Sequence, residues 1–124
     1  MRELTKAEEQ IMQILWKVKK GFVKDILDHF PEPRPAYNTV STIIRILESK
    51  GFVRHKAYGK THEYYPAVTK EAYKKTLMRG VMKNYFDSSP AQFLSFFARE
   101  QSLSVKDLND ILRLIEQDNE KNKK

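Results

Sequence analysis

The chain has 124 residues and no cysteine, and its 23 lysine and arginine residues outnumber the 16 acidic residues, giving a formal net charge of +7. This length suits one ordinary domain, or a small domain with an association segment. The lack of cysteine excludes disulfides, thiolate metal sites and cysteine nucleophiles. Because the sequence shows no apolar run near the ~20 residues of a membrane span and no signal peptide, we expect a cytoplasmic protein.

The positive charge is concentrated in the first part of the chain. Residues 1–70 carry 13 basic and 8 acidic side chains, whereas residues 71–124 carry 10 and 8. A basic front half favours a polyanionic partner such as nucleic acid. Charge alone leaves open the alternative of a basic protein that is merely soluble.

Two short helices are predicted at the start of the chain. Thr5 and Glu8 form a T-x-x-E capping box, and the helix that follows is expected to end near Lys17. A turn at residues 19–21 precedes a second short helix. Its apolar positions are Val23, Ile26, Leu27 and Phe30. The prolines of residues 31–35 end this helix, and Pro35 is expected near the first position of a third helix.

The third helix has two chemically different sides. Its apolar residues recur at helical spacing and predict a buried stripe: Val40, Ile43, Ile44 and Leu47. The opposite side carries hydrogen-bonding groups: Asn38, Ser41, Thr42 and Arg45. Such a side suits the base edges and phosphates of a DNA groove. Gly51 fits the left-handed position just past the end of a helix.

A basic β-hairpin is predicted directly after this helix, around Tyr58-Gly59-Lys60. With Tyr58-Gly59 as a two-residue loop, His55 faces His62 across the strands. Two facing imidazoles suggest a metal, but a closed zinc site needs four ligands, and nearby Glu63 points to the other face. We therefore favour a surface or DNA-backbone role, and no metal or cofactor is expected.

Two short helices, a turn, a polar-faced helix and a cationic hairpin predict a mainly α winged helix-turn-helix with a small β-wing. The candidates for base edges and nearby phosphates are Asn38, Ser41, Thr42 and Arg45. Thr39 is expected to contact the backbone. The wing cations Arg54, Lys56 and Lys60 are expected to bind phosphate and set register.

The rest of the chain predicts three amphipathic helices with capping signals at Thr69, Ser89-Pro90 and Ser104. We divide the chain into a DNA-binding domain (1–68), a helical dimerisation domain (69–119) and a polar tail (120–124). Because no sheet or large core follows residue 70, a homodimer is expected; folding back onto residues 1–66 as a monomer is the alternative. The proposed dimer residues are Tyr73, Leu77, Val81, Phe93, Phe97, Leu108, Ile111, Leu112 and Ile115.

Catalysis is not expected. The three histidines, His29, His55 and His62, form no recognisable triad, and the sequence has no paired-carboxylate arrangement or Gly-rich phosphate loop. A second alternative is a winged helix that binds proteins without reading DNA, since fold does not fix function. That alternative predicts an exposed apolar patch on the third helix, whereas the sequence places Asn, Ser, Thr and Arg there.

Four stretches resemble the BlaI/MecI family of bacterial penicillinase repressors: LTKAEEQIMQILW (4–16), AYNTVSTIIRILESKGFV (36–53), GKTHEYYP (59–66) and FFAREQSLS (96–104). The resemblance covers nearly all of the chain. It implies a homodimeric repressor that binds an inverted-repeat operator. It also implies a C-terminal dimer segment, and release by proteolysis triggered by a membrane sensor-transducer protease.

Two positions differ from this family's pattern. Asn38 stands where the family often has Thr, which bears on base preference. Family members are cut between an Asn and a Phe, and the alignment places that bond between Phe96 and Phe97, with Phe96 in place of the Asn. The copper-responsive branch uses a C-terminal cysteine motif, which this chain lacks.

Overall fold

A computed structural model describes residues 3–121. The elements in chain order are α1 (Lys6–Val18), α2 (Val23–Asp28), α3 (Tyr37–Ser49), β1 (Val53–Tyr58), β2 (Thr61–Pro66), α4 (Lys70–Tyr85), α5 (Pro90–Glu100) and α6 (Val105–Lys121). The chain divides into two compact units between Met78 and Arg79, within α4. Each unit is described separately below.

The start of α1 has the predicted capping box and a partly buried ion pair. The Glu8 amide donates to the Thr5 hydroxyl at 3.2 Å, and the Thr5 amide donates to the Glu8 carboxylate at 2.9 Å. The Lys50 ammonium, at the end of α3, lies 2.7 Å from the other Glu8 oxygen. Burial alone would raise the pKa of Glu8, but the hydrogen bonds from Lys50 and Thr5 outweigh it, so the pKa lies below its usual 4.5.

The start of α3 differs from the prediction. Ala36, not Pro35, precedes the first helical residue, and it holds an extended conformation with φ −68° and ψ 149°. Its carbonyl oxygen accepts the first hydrogen bond of the helix, from the Val40 amide at 3.2 Å. Pro35 therefore lies before the helix rather than at its first position.

The end of α3 confirms the role predicted for Gly51. This residue has φ +85°, a left-handed conformation that costs glycine little. Its amide donates to the Glu48 carbonyl at 3.0 Å, and the Phe52 amide donates to the Leu47 carbonyl at 2.9 Å. This pair of bonds is a Schellman motif, which ends the helix and turns the buried Phe52 into the core.

The hairpin is present, but its register is shifted by one residue from the prediction. Tyr58 pairs with Thr61, so the loop consists of Gly59 and Lys60. Gly59, with φ +62°, supplies the positive φ that tight hairpin turns need at the first central position. As a result, His55 pairs with Tyr64 rather than with His62.

Gly21 has a structural role beyond the predicted turn. Its amide donates to the Tyr64 carbonyl at 2.9 Å, and its carbonyl accepts from the Tyr64 amide at 2.8 Å. This antiparallel bridge connects the segment between α1 and α2 to β2. It therefore holds the wing against the helical part of the unit.

The core of the N-terminal unit lies between α1, α2, α3, the base of the hairpin and the first half of α4. The Tyr73 hydroxyl accepts from the Leu4 amide at 3.0 Å, and the Trp16 indole donates to the Val68 carbonyl at 2.8 Å. The buried apolar residues are Leu4, Ile11, Met12, Leu15, Val23, Ile26, Phe30, Val40, Ile44, Leu47, Phe52, Val53, Tyr64 and Tyr73. This arrangement confirms the predicted winged helix-turn-helix.

The C-terminal unit contains the end of α4 with α5 and α6. Ser89 and Ser104 cap α5 and α6 as predicted, accepting from the amides of Gln92 and Asp107 at 3.1 Å in each case. No residue of α5 or α6 is buried within the described chain. Among residues 3–121, no helix has both the length and the apolar character needed to cross a membrane.

Candidate nucleic-acid interface

The polar side of α3 faces solvent. Asn38, Thr39, Thr42 and Arg45 are exposed, and Ser41 is half-buried. The Thr42 hydroxyl donates to the Asn38 carbonyl at 2.8 Å, which leaves its oxygen lone pairs as acceptors. The Arg45 Nε donates to the Ser41 carbonyl at 3.4 Å, and a guanidinium has four further N–H groups for a partner. The outer side of α3 therefore offers both donors and acceptors.

Two apolar side chains are also exposed on α3. Tyr37 is 54% exposed and Ile46 is 43% exposed. At about 100° per residue they lie on opposite edges of the polar side, well separated around the helix. They do not form the continuous apolar patch that a protein-binding helix would require.

A groove of about 550 Å³ separates α3 from the wing and the start of α2. Its lining residues are Phe22, Val23, Lys24, Asp25, Tyr37, Ser41, Arg45, Lys60, Thr61, His62 and Tyr64. Three of these are cations and one is an acid, so the groove favours an anion. Burial raises the pKa of the Tyr64 phenol and the nearby charge of Glu48 adds to this, so Tyr64 stays neutral at physiological pH.

The wing cations occupy its outer face and its tip. Arg54 and Lys56 are two residues apart on β1 and therefore share a face. Their cross-strand partners on β2 are Tyr65 and Glu63, respectively. The Lys56 ammonium lies 5.3 Å from the centre of the Tyr58 ring, a cation–π distance. Lys60 lies in the hairpin loop and also lines the groove. The structure thus brings Lys60 and Arg45 to one groove, while Arg54 and Lys56 lie elsewhere on the wing.

The two wing histidines do meet, although not as directly paired residues. His62 is the diagonal neighbour of His55, and their rings stack with centroids 4.0 Å apart and planes 5° apart. The His55 Nδ1 lies 2.5 Å from a carboxylate oxygen of Glu48 in α3. Among residues 3–121, no group of three or more His, Cys, Asp or Glu side chains is arranged to hold a metal ion.

Sequence reasoning missed several residues of this groove. Tyr37 lies one turn before Ser41 on the same side of α3, and this spacing was a usable signal. Lys24 carried no comparable signal, because its place at the groove depends on the angle between α2 and α3. In the sequence Glu48 is an ordinary helix carboxylate. Its contact with His55 is evident only when the position of the hairpin against α3 is known.

Two of the residues expected at a dimer surface have another position in the structure. Tyr73 is 4% exposed in the core of the N-terminal unit, and Leu77 packs against that core. They complete the winged helix, which explains why the division of the chain falls inside α4. The other candidates lie in the C-terminal unit: Val81, Phe93 and Ile111 are half-buried, and Phe97, Leu108, Leu112 and Ile115 are exposed.

The candidate cleavage position lies inside a helix. Phe96 and Phe97 are both exposed and fall in the second half of α5. Their rings belong to an aromatic cluster with Phe86 and Phe93, at centroid distances of 5.4–6.2 Å. Proteases bind extended backbone, so cleavage there requires α5 to unwind locally.

Comparison with known proteins agrees with this geometry. "Methicillin resistance regulatory protein MecI" from Mammaliicoccus sciuri is 22% identical over 114 residues, covering 91% of this chain and 93% of that protein. "Penicillinase repressor" from Bacillus licheniformis is 17% identical over 116 residues, covering 93% of this chain and 91% of that protein. The family described as "Penicillinase repressor" matches residues 4–117. The chain therefore belongs to the penicillinase repressor family.

Proposed function

We propose that this protein is a homodimeric, sequence-specific transcriptional repressor that binds an inverted-repeat DNA operator. The observation that carries the proposal is the exposed polar side of α3, which borders a cationic groove beside the wing. A helix of this kind fits the major groove, and a wing beside it reaches the neighbouring backbone. Occupying the promoter in this way blocks transcription by the polymerase.

Each part of the interface has its own role in the proposal. Asn38, Ser41, Thr42 and Arg45 contact base edges and nearby phosphates, and Thr39 contacts the backbone. The wing cations Arg54, Lys56 and Lys60 bind phosphates and set the register of α3 on the duplex. Phosphate contacts position a protein on DNA, whereas base contacts give it specificity.

The apolar surface of the C-terminal unit is the evidence that favours a dimer. Exposed apolar side chains recur on α5 and α6, among them Leu94, Phe97, Leu112 and Ile115, at 40–55% exposure. So many exposed large apolar side chains on a small unit are typical of an association surface. A twofold dimer also places two reading helices on two half-sites, which matches an inverted repeat.

Release of the operator by proteolysis is the last part of the proposal. Cutting between Phe96 and Phe97 would divide α5 and separate α6 from the DNA-binding unit. The dimer would then lose the surface that holds it together. A membrane sensor-transducer protease is the partner this scheme requires, and the repressor itself acts in the cytoplasm, where the DNA is.

The proposal is tested by selecting duplexes that the full-length protein retains from a randomised pool. The winning sequence is compared with its shuffled version at physiological salt. We expect an inverted repeat that binds about 10³-fold or more tighter than the shuffled duplex. Recovery of no sequence preference, or of equal affinities for both duplexes, would refute specific recognition.

A further inference from the structure

His62 lies in the groove, and the function proposed above assigns no specific contact to its side chain. Its side chain lines the groove between α3 and the wing, together with Arg45 and Lys60. It is half-buried, and one face of its ring is covered by the ring of His55. The imidazole is therefore both accessible from the groove and restricted in its orientation.

A continuous set of contacts holds His62 in place. A carboxylate oxygen of Glu48, in the last turn of α3, lies 2.5 Å from the His55 Nδ1. The His55 ring in turn stacks on the His62 ring. The Tyr64 ring lies against both imidazoles, with centroids at 5.8 Å and 6.1 Å. These contacts join the end of α3 to β2, so His62 keeps a fixed position relative to the reading helix.

The groove is the place where a DNA backbone would pass. When a helix occupies the major groove and a wing beside it reaches the neighbouring backbone, a sugar–phosphate strand passes along the space between helix and wing. In this protein the space between those two elements is bordered by Arg45 on one side and by Lys60 and His62 on the other. A phosphate in it would lie beside all three side chains.

The charges around His62 explain how a phosphate would change its protonation. The groove carries the cations Lys24, Arg45 and Lys60 and the acid Asp25. The other titratable groups facing His62 are Tyr37 and Tyr64 in the groove, and His55 with its partner Glu48. A phosphate bound in the groove would add negative charge beside His62, and a nearby opposite charge favours the imidazolium form. Imidazole is the side chain that changes charge between about pH 5 and 8.

We propose that His62 is a further DNA-contact residue, which binds a backbone phosphate as the imidazolium and takes up a proton from solvent when DNA binds. Glu48 and His55 are positioning residues, which act by holding the His62 ring toward the groove. The inference rests on the proposed DNA-binding function, but it concerns a backbone contact and does not depend on which bases α3 reads.

The test measures binding of the full-length protein to a random-sequence 30-base-pair duplex and to the selected operator duplex, from pH 5.5 to 8.0 at constant ionic strength. For one linked proton, affinity should rise as pH falls, by up to about tenfold per pH unit. The slope of affinity against salt should steepen by about 0.9 at the acidic end, because one more phosphate is neutralised. His62→Gln should lose most of the pH dependence.

His29→Gln is the matched control, because His29 lies at the end of α2, outside the groove, and its Nδ1 bonds to the Asp25 carbonyl. It should keep the wild-type pH slope. Thermal unfolding checks that each variant is folded, and calorimetry in two buffers of different ionisation enthalpy counts the protons taken up. His62→Gln should take up fewer protons than the wild type and His29→Gln. An equal pH slope and proton uptake in all three proteins would overturn the inference.

The two proposals fail in different ways. If the random and selected duplexes bind equally but the pH slope depends on His62, sequence-specific repression is refuted and the phosphate contact stands. If the selected duplex is preferred while His62→Gln behaves like the wild type, the phosphate contact is refuted and the repressor proposal stands. If the protein binds neither duplex at low salt, both are refuted.

Discussion

Arg45 is the side chain of α3 with the greatest capacity to discriminate between bases. It is exposed, lines the groove, and can present two parallel N–H groups to the O6 and N7 atoms of guanine. Arg45→Ala should therefore cost about 1–3 kcal/mol on the operator and relax specificity at one base pair. Arg79→Ala, which removes the same charge from α4, is the control. Competition binding against single-base variants of the operator checks this; unchanged selectivity would show that Arg45 does not read a base.

The pair formed by Glu8 and Lys50 should make stability depend on pH. The pKa of Glu8 is lowered in the folded protein, so its contribution is fully present above the ordinary value of 4.5 and is lost as pH falls through the folded value. Glu8→Gln should lower the free energy of unfolding by about 1–3 kcal/mol at pH 7. Urea unfolding from pH 7 to pH 3 should show the difference from the wild type shrinking; a constant difference would contradict the assigned pKa shift.

The capping boxes were predictable at the residue scale, because each depends only on a short sequence pattern. Thr5 with Glu8 and Ser104 with Asp107 form the bonds that their spacing indicates. The contact between His55 and Glu48 was not predictable in this way. It depends on where a strand lies against a helix, which no local pattern specifies.

At the scale of the element, the end of α3 depends on one left-handed residue. Gly51→Ala should lower the free energy of unfolding by about 1–2 kcal/mol, because alanine is strained at this positive φ. An added Cβ meets no atom within 4 Å, so no clash adds to the backbone strain. Gly80→Ala is a matched control within α4, where the Cβ also meets no atom within 4 Å. It should stabilise the helix by up to about 1 kcal/mol. Chemical unfolding of both variants measures this difference in sign.

The wing should act on affinity without acting on sequence preference. Lys60→Ala removes a cation at the tip of the hairpin, so it should weaken operator and shuffled duplexes by the same factor. The slope of affinity against salt should fall by about one, as expected for one lost phosphate contact. Salt titrations on both duplexes provide the measurement, and a selective loss on the operator alone would assign Lys60 to base recognition instead.

The hairpin itself was predictable from its β-prone runs, but its register was not. Tyr58-Gly59 and Gly59-Lys60 are both plausible two-residue loops, and the sequence does not decide between them. The positive φ of Gly59 at the first loop position selects the second. His55 and His62 meet in either register. They are directly paired in the predicted register and diagonal neighbours in the observed one, and the rings of diagonal neighbours on one face can still touch.

At the scale of the whole molecule, the proposed operator recognition depends on the proposed association through the C-terminal unit. Leu112→Asp places a charge on the apolar stripe of α6 and should shift the protein from dimer to monomer. Gln117→Asp, about half a turn around the same helix, is the control and should stay dimeric. Light scattering measures the mass of each, and an unchanged dimer in Leu112→Asp would place the association surface elsewhere.

The division of the chain was the least predictable feature at this scale. The sequence shows an apolar face along all of α4, and nothing local indicates that Tyr73 and Leu77 belong to one unit and Val81 to the other. That distinction comes from the shape of the core, in which the Tyr73 ring packs against Phe52 and Trp16. The centroid of the Tyr73 ring lies 6.0 Å from that of Phe52 and 5.9 Å from that of Trp16. Long-range packing of this kind follows from the assembled fold.

Hydroxyl-radical footprinting of the protein on its selected duplex is the most direct test of two reading helices on one operator. We expect two equivalent protected stretches, related by twofold symmetry and separated by a whole number of helical turns of about 10–10.5 base pairs. One unsymmetrical protected stretch, or a cleavage pattern identical to that of the shuffled duplex, would contradict this account.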